Sequence, residues 1–153
     1  MIQAVLKAIQ ECMVPVIPMI MAGGLVKVVV ILLNLIGVLP ADSQTYTILN
    51  TIGDAPYYFL PFEVAASSAV YFKLPTLLPL AAVGIMFAPN FLALFDAGTV
   101  AFFGIPIANV TYSYSVLPII LLVWVMGLLY RALKKALPDS LFNFFGNMIT
   151  LLL

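Results

Sequence analysis

VPVIPMIMAGGLVKVVVILLNLIGVL, residues 14–39, is apolar throughout except for Lys27 and Asn34. A helix needs about 20 mostly apolar residues to cross a bilayer, because each adds about 1.5 Å across a hydrocarbon core of about 30 Å. This stretch is long enough, and it closes on the turn-forming Pro40-Ala41-Asp42-Ser43. Ahead of it, residues 1–13 mix Gln3, Lys7, Gln10 and Glu11 with apolar residues and carry no small-residue cleavage motif. They do not read as a removable leader. Lys7 and Glu11, four apart, suit a short amphipathic helix lying at the interface.

Further along, residues 48–72 form a second apolar stretch, carrying Asp54 and Glu63 and ending at Lys73. Residues 74–95 are uncharged but interrupted by Pro75, Pro79 and Pro89. Residues 112–130 are uncharged and closed by Arg131, Lys134 and Lys135. A fifth run, 141–153, has 13 residues, too few to span. Residues 97–111 are rich in Gly and Pro and contain the β-formers Phe102, Phe103, Ile105, Ile107 and Val110. They predict a short β-hairpin or re-entrant segment, shielded by protein because irregular backbone cannot face lipid. The expected fold is all-α transmembrane: four spanning helices plus a truncated fifth, with that segment between the third and fourth. An end within hydrocarbon would bury a carboxylate, so the fifth run is expected to be truncated, the alternative being a terminal helix whose end tilts back to the interface.

Composition agrees. Hydrophobic residues make up 65% of the 153 and charged residues 8%, with a mean hydropathy of +1.21. A soluble domain carries about 25% charged residues, so lipid is the expected solvent of the outer surface. Net charge is zero, which gives no electrostatic case for nucleic acid. There is no histidine and one cysteine, Cys12, so neither an internal disulfide nor a metal cluster is expected, and no cofactor. A cytoplasmic N-terminus gathers Lys7, Lys73, Arg131, Lys134 and Lys135 on the cytoplasmic side, as the positive-inside rule requires.

Soluble catalytic motifs are absent, and Gly23-Gly24 reads as a close helix-packing point rather than a phosphate loop. Ionisable groups within membrane spans usually face a polar interior, because a charge at the bilayer centre costs about 2.5–3.5 kcal/mol on insertion scales. Lys27, Asp54 and Glu63 are therefore the candidate polar site residues, in contact with solute or with one another. Asp54 and Glu63 lie about two and a half turns apart and face different sides, so they are no acid–base dyad. Asp54, two residues before Pro56, could instead cap a helix restart. Lys27 could bridge to Asp54 or Glu63, or snorkel. Tyr57-Tyr58-Phe59 and Tyr112-Ser113-Tyr114-Ser115 suit an interface belt better than sugar stacking.

Pro15-Val16-Ile17-Pro18 and Ala22-Gly23-Gly24-Leu25-Val26-Lys27 together resemble the opening helix of the phosphotransferase-system (PTS) enzyme II C domains (EIIC) of the glucose superfamily, in the β-glucoside, sucrose and trehalose group. Thr45-Tyr46, Ile52-Gly53-Asp54-Ala55, Tyr58-Phe59-Leu60-Pro61 and residues 69–73 are similar to that group's second span. Phe102-Phe103-Gly104-Ile105-Pro106, then Tyr112, Ser115 and Pro118-Ile119-Ile120, resemble its hairpin and fourth span, and Thr150-Leu151-Leu152 its fifth. Glu63 stands where the group is usually apolar, and Asn147 where it usually has proline.

The resemblance implies a permease that imports a glucoside or disaccharide while a cytoplasmic B domain (EIIB) phosphorylates it from a cysteine. Cys12 has none of that motif around it. On this reading residues 1–13 are a cytoplasmic amphipathic segment, and residues 14–153 are the N-terminal scaffold and dimerisation half of the EIIC membrane domain. The main sugar-binding motifs belong to the other half, so this half alone is not expected to transport or catalyse. The implied partners are the bilayer, a second copy or the missing C-terminal half, EIIB and the sugar, at the bacterial cytoplasmic (inner) membrane. The alternative is a small membrane regulator that assembles with an intact permease.

Overall fold

The computed structural model describes residues 2–96, 100–102, 105–107 and 116–152. The chain opens with α1 (Ile2–Met13) and turns at residues 14–16 into α2 (Ile17–Leu35). Pro18 sits in the first turn of α2, where its missing N–H costs nothing. The helix ends at Gly37, whose φ of 74° lets the backbone wind left-handed. There the Val38 N–H reaches the Leu33 carbonyl at 3.1 Å, and the Gly37 N–H reaches that of Asn34 at 3.0 Å. These bonds satisfy carbonyls that the helix end would leave open. The Asn34 side-chain amide donates to the Leu39 carbonyl at 2.8 Å and pins the turn that follows.

α3 (Gln44–Tyr58) starts at Ser43, whose Oγ accepts the Tyr46 N–H at 3.1 Å. The expected single span over 48–72 is two helices instead: α3 stops at Tyr58, and α4 (Leu60–Phe72) restarts after Phe59. Pro61 is the cause, since it has no N–H for the Tyr57 carbonyl and its ring crowds that oxygen; it is accommodated in the first turn of α4.

α5 (Leu77–Met86) and α6 (Pro89–Asp96) follow, jointed at Phe87-Ala88 just before Pro89. Strand β1 (Val100–Phe102) pairs antiparallel with β2 (Ile105–Ile107), Val100 opposite Ile107 and Phe102 opposite Ile105. Residues 97–99, 103–104 and 108–115 lie outside the described residues, and with them Phe103, Val110 and the Tyr112–Ser115 run. α7 (Leu117–Ala136) carries on through Arg131, Lys134 and Lys135, beyond the expected end at residue 130. The last apolar run is a short turn α8 (Asp139–Leu141), a π-helical turn (Phe142–Gly146) and α9 (Asn147–Leu152), which packs against α7 and α5.

Among the described residues three helical runs are long and apolar enough to cross a membrane: α2, Leu77–Leu94 and α7. The stretch 48–72, broken at Phe59, is not one of them. The core lies between α1, α4, α5 and α7, where Cys12, Val64, Ala65, Ala69, Val83, Ile119 and Val123 are fully buried. Ala65, Ser68 and Ala69 give α4 a small-residue face that its neighbours approach closely. α2 packs chiefly on α3, and Leu25, Val28, Val29, Ile31, Leu32 and Leu35 point outward with more than half their surface uncovered. Lipid tails solvate such a face without penalty.

Candidate functional site

Two of the three candidate residues meet where α2 crosses α3. Ile20, Gly23 and Lys27 recur at three- and four-residue spacing on α2, as do Asn50, Gly53, Asp54 and Tyr57 on α3, so each set forms one stripe. The helices approach closely because both crossing residues are glycine. A Cβ on Gly23 would stand 2.8 Å from the Gly53 carbonyl oxygen, and one on Gly53 would stand 2.6 Å from Lys27 Cγ. The Lys27 stem therefore lies over Gly53, and its Nζ donates to Asp54 Oδ1. Asn50 Nδ2 donates to the other carboxylate oxygen at 3.2 Å. Three residues on, the Tyr57 hydroxyl donates to the Ile20 carbonyl at 3.0 Å.

Asp54 thus serves as an ion-pair partner inside α3. It does not cap a restart: the helix runs unbroken past Pro56, and α4 begins without a side-chain cap. In a low-dielectric setting an ion pair persists only if its remaining oxygens are also hydrogen-bonded, which Asn50 supplies.

Glu63 is not part of this cluster. It lies beyond the break, in the first turn of α4, where the positive end of the helix dipole favours a carboxylate. Its Oε2 is buried and has no hydrogen-bond partner among the described residues, and the same holds for Ser67 Oγ one turn later. Both line an open groove of about 300 Å³ with Pro15, Val16, Met19 and Thr76.

The sequence reading missed Asn50 and Tyr57 as the groups that complete the crossing. The signal for Asn50 was its place one turn before Asp54. Tyr58, Phe59, Phe62 and Phe87 form an aromatic cluster around the helix break, with ring centroids 5.0–6.0 Å apart. Cys12 is fully buried against α4. Burial pushes its thiol up from the ordinary 9.0, the Ser68 hydroxyl pulls it partly back, and Glu11 adds to the rise. Among the described residues no three His, Cys, Asp or Glu side chains gather to hold a metal ion.

The sequence profile of the family described as "Phosphotransferase system, EIIC" matches residues 10–153. The chain is 36% identical over 97% of its length to the arbutin-, cellobiose-, and salicin-specific EIIBC component of Escherichia coli (strain K12), covering 32% of that protein. It is 31% identical over 92% of its length to the beta-glucoside-specific EIIBCA component of Bacillus subtilis (strain 168), covering 23%. It is 30% identical over 91% of its length to the sucrose-specific EIIBC component of Salmonella typhimurium, covering 31%. The chain therefore spans about a third or less of these relatives. No solved structure matches it.

Proposed function

This chain belongs to the EIIC family of the phosphotransferase system, a family of sugar-transport membrane domains, and we propose that its residues build the scaffold and dimer-forming part of a β-glucoside- or sucrose-type permease. The observation that carries the reading is the match over residues 10–153 in a chain whose helices are built for lipid. In this reading α3 and α4 together make the second of four crossings, kinked at Phe59, and the run from Asp139 opens a fifth. The N-terminus is cytoplasmic, α1 lies along the inner-membrane surface, and the cation-bearing ends of α4 and α7 face the cytoplasm. Sugar import and its coupled phosphorylation are then completed by the main sugar-binding spans and an EIIB domain, the arrangement named in the EIIBC relatives. Lys27, Asp54 and Asn50 hold α2 on α3 and are not assigned to sugar. The apolar outer face of α2 is free to meet lipid or a second copy.

The test is complementation. The chain is expressed in a bacterium that lacks β-glucoside and sucrose permeases, alone or with the remaining segments of the 36%-identical relative. Uptake and phosphorylation of arbutin, salicin or sucrose are then measured. Uptake restored only by co-expression is the expected result. No uptake in either arm, with both proteins in the membrane, overturns the reading. Inhibition of an intact permease by the chain alone favours a regulator instead.

A further inference from the structure

Four cations that make no ion pair or hydrogen bond among the described residues converge at one end of the molecule. Arg131, Lys134 and Lys135 lie three and four residues apart on α7, hence on one side of the helix. Lys73 comes from a different element, the end of α4. Its position is fixed by Gly127, one turn before Arg131. A Cβ at Gly127 would lie 3.7 Å from each of Phe72 Cβ, Leu74 Cδ1 and the Arg131 guanidinium. Lys73, between Phe72 and Leu74, is therefore held beside Gly127, to which the Arg131 guanidinium reaches back, and all four side chains are exposed.

Charge repulsion should separate such groups unless an anion completes them. The two helix C-termini supply about half a negative charge each. Lys7 and Glu11 on α1 offset each other, and with the formal charge of Asp139, four residues after Lys135 in the sequence, subtracted in full, about two positive charges remain. The height is that of a headgroup: Arg131, Lys134 and Lys135 stand in the last six residues of α7, beyond the uncharged residues 117–130, where the basic end of a crossing helix meets the phosphate layer.

We infer that Lys73, Arg131, Lys134 and Lys135 form a binding site for the phosphate headgroup of an anionic phospholipid, clamped between the ends of α4 and α7. Clustered Lys and Arg beside a membrane helix recruit anionic lipid in this way, and the guanidinium adds a bidentate donor matched to phosphate. The inference rests on α7 crossing the membrane and does not depend on which sugar, if any, is carried.

The full chain is reconstituted in bilayer discs of equimolar phosphatidylglycerol and phosphatidylcholine, and retained lipid is counted by native mass spectrometry. Wild type should retain phosphatidylglycerol about tenfold over phosphatidylcholine. Replacing all four cations by Gln should abolish the preference, and Lys7→Gln should leave it intact. Should the fourfold variant not fold, Lys134→Gln/Lys135→Gln, which alters only exposed side chains, should still lower the preference by about threefold. Equal retention of both lipids by wild type, or an undiminished preference in the double variant, overturns the site. So does displacement by millimolar inorganic phosphate that also binds wild type without lipid. Binding of a relative's EIIB domain through these cations, with no lipid preference, overturns it in favour of a protein dock.

Discussion

Gly23 and Gly53 meet across the α2–α3 crossing so closely that a methyl group on Gly23 would lie 2.8 Å from the Gly53 carbonyl oxygen. Backbone on the far side cannot swing away as a side chain can, so the helices themselves must part. Gly23→Ala should therefore destabilise the protein by about 1–3 kcal/mol, as overpacking does elsewhere. Gly84 is the control, because nothing lies within 4 Å of a Cβ there. Gly84→Ala, in the last turn of α5, should be neutral or gain up to about 0.5–1 kcal/mol from propensity. Thermal unfolding of both variants in detergent checks this, and equal midpoints would refute the close crossing.

The ion pair gives a second prediction. The Lys27 and Asp54 side chains are 34% and 45% exposed, so the pair sits at the rim of the crossing rather than within it. Lys27→Leu should not impair insertion, since it removes a charge that hydrocarbon disfavours. It leaves Asp54 with Asn50 alone, and assembly should weaken by about 1–2 kcal/mol, below the figure for fully buried pairs. Lys27→Leu/Asp54→Leu should recover most of that loss. A double-mutant cycle in detergent measures the coupling, and strictly additive effects would remove the pair from the account.

Much of this site was legible in the residues. Lys27 within an apolar run demanded an explanation, and Asp54 was one of two carboxylates in reach. The Gly23-Gly24 pair marked close packing, but its partner at Gly53 could not be read, because a contact between helices leaves no local periodicity. The break at Phe59 was harder still. Pro56 and Pro61 look alike in sequence, yet α3 absorbs the first and ends before the second. Which proline breaks a helix depends on whether neighbouring packing compensates the lost hydrogen bond, and that is a tertiary property.

Cys12 carries the pH dependence. A thiol whose ionisation is pushed up by burial contributes stability that is fully present below its unfolded value. That contribution is lost as pH rises through the higher folded value. Between neutral pH and the ordinary 9.0 the folded thiol should stay protonated while the unfolded one begins to ionise. Iodoacetamide should accordingly label Cys12 far more slowly in the folded protein than after denaturation, even at mildly alkaline pH. Cys12→Ser should lower stability through the polar group it buries in the α1–α4 contact. Equal labelling rates for the folded and unfolded chain would contradict the burial of this thiol.

Lys73 is, among the described residues, the one non-glycine at positive φ, 58°. It ends α4 as a glycine ends α2: the Leu74 N–H reaches back to the Ala69 carbonyl at 2.9 Å, and the Lys73 N–H to that of Val70 at 3.2 Å. Leu74 buries its side chain against the core beside this turn. The left-handed conformation costs an L-residue about 1 kcal/mol, which glycine would not incur. Lys73→Gly should then raise the unfolding free energy by about 0.5–1 kcal/mol, whereas Lys73→Val, β-branched at the same φ, should lower it by more. A side chain kept at a stability cost points to a use for its charge. The stabilised Lys73→Gly variant should accordingly hold less phosphatidylglycerol than wild type. Measuring the melting midpoint and retained lipid on the same preparation separates the two effects. A variant that melted higher with undiminished lipid would leave the strained lysine without a role in headgroup binding.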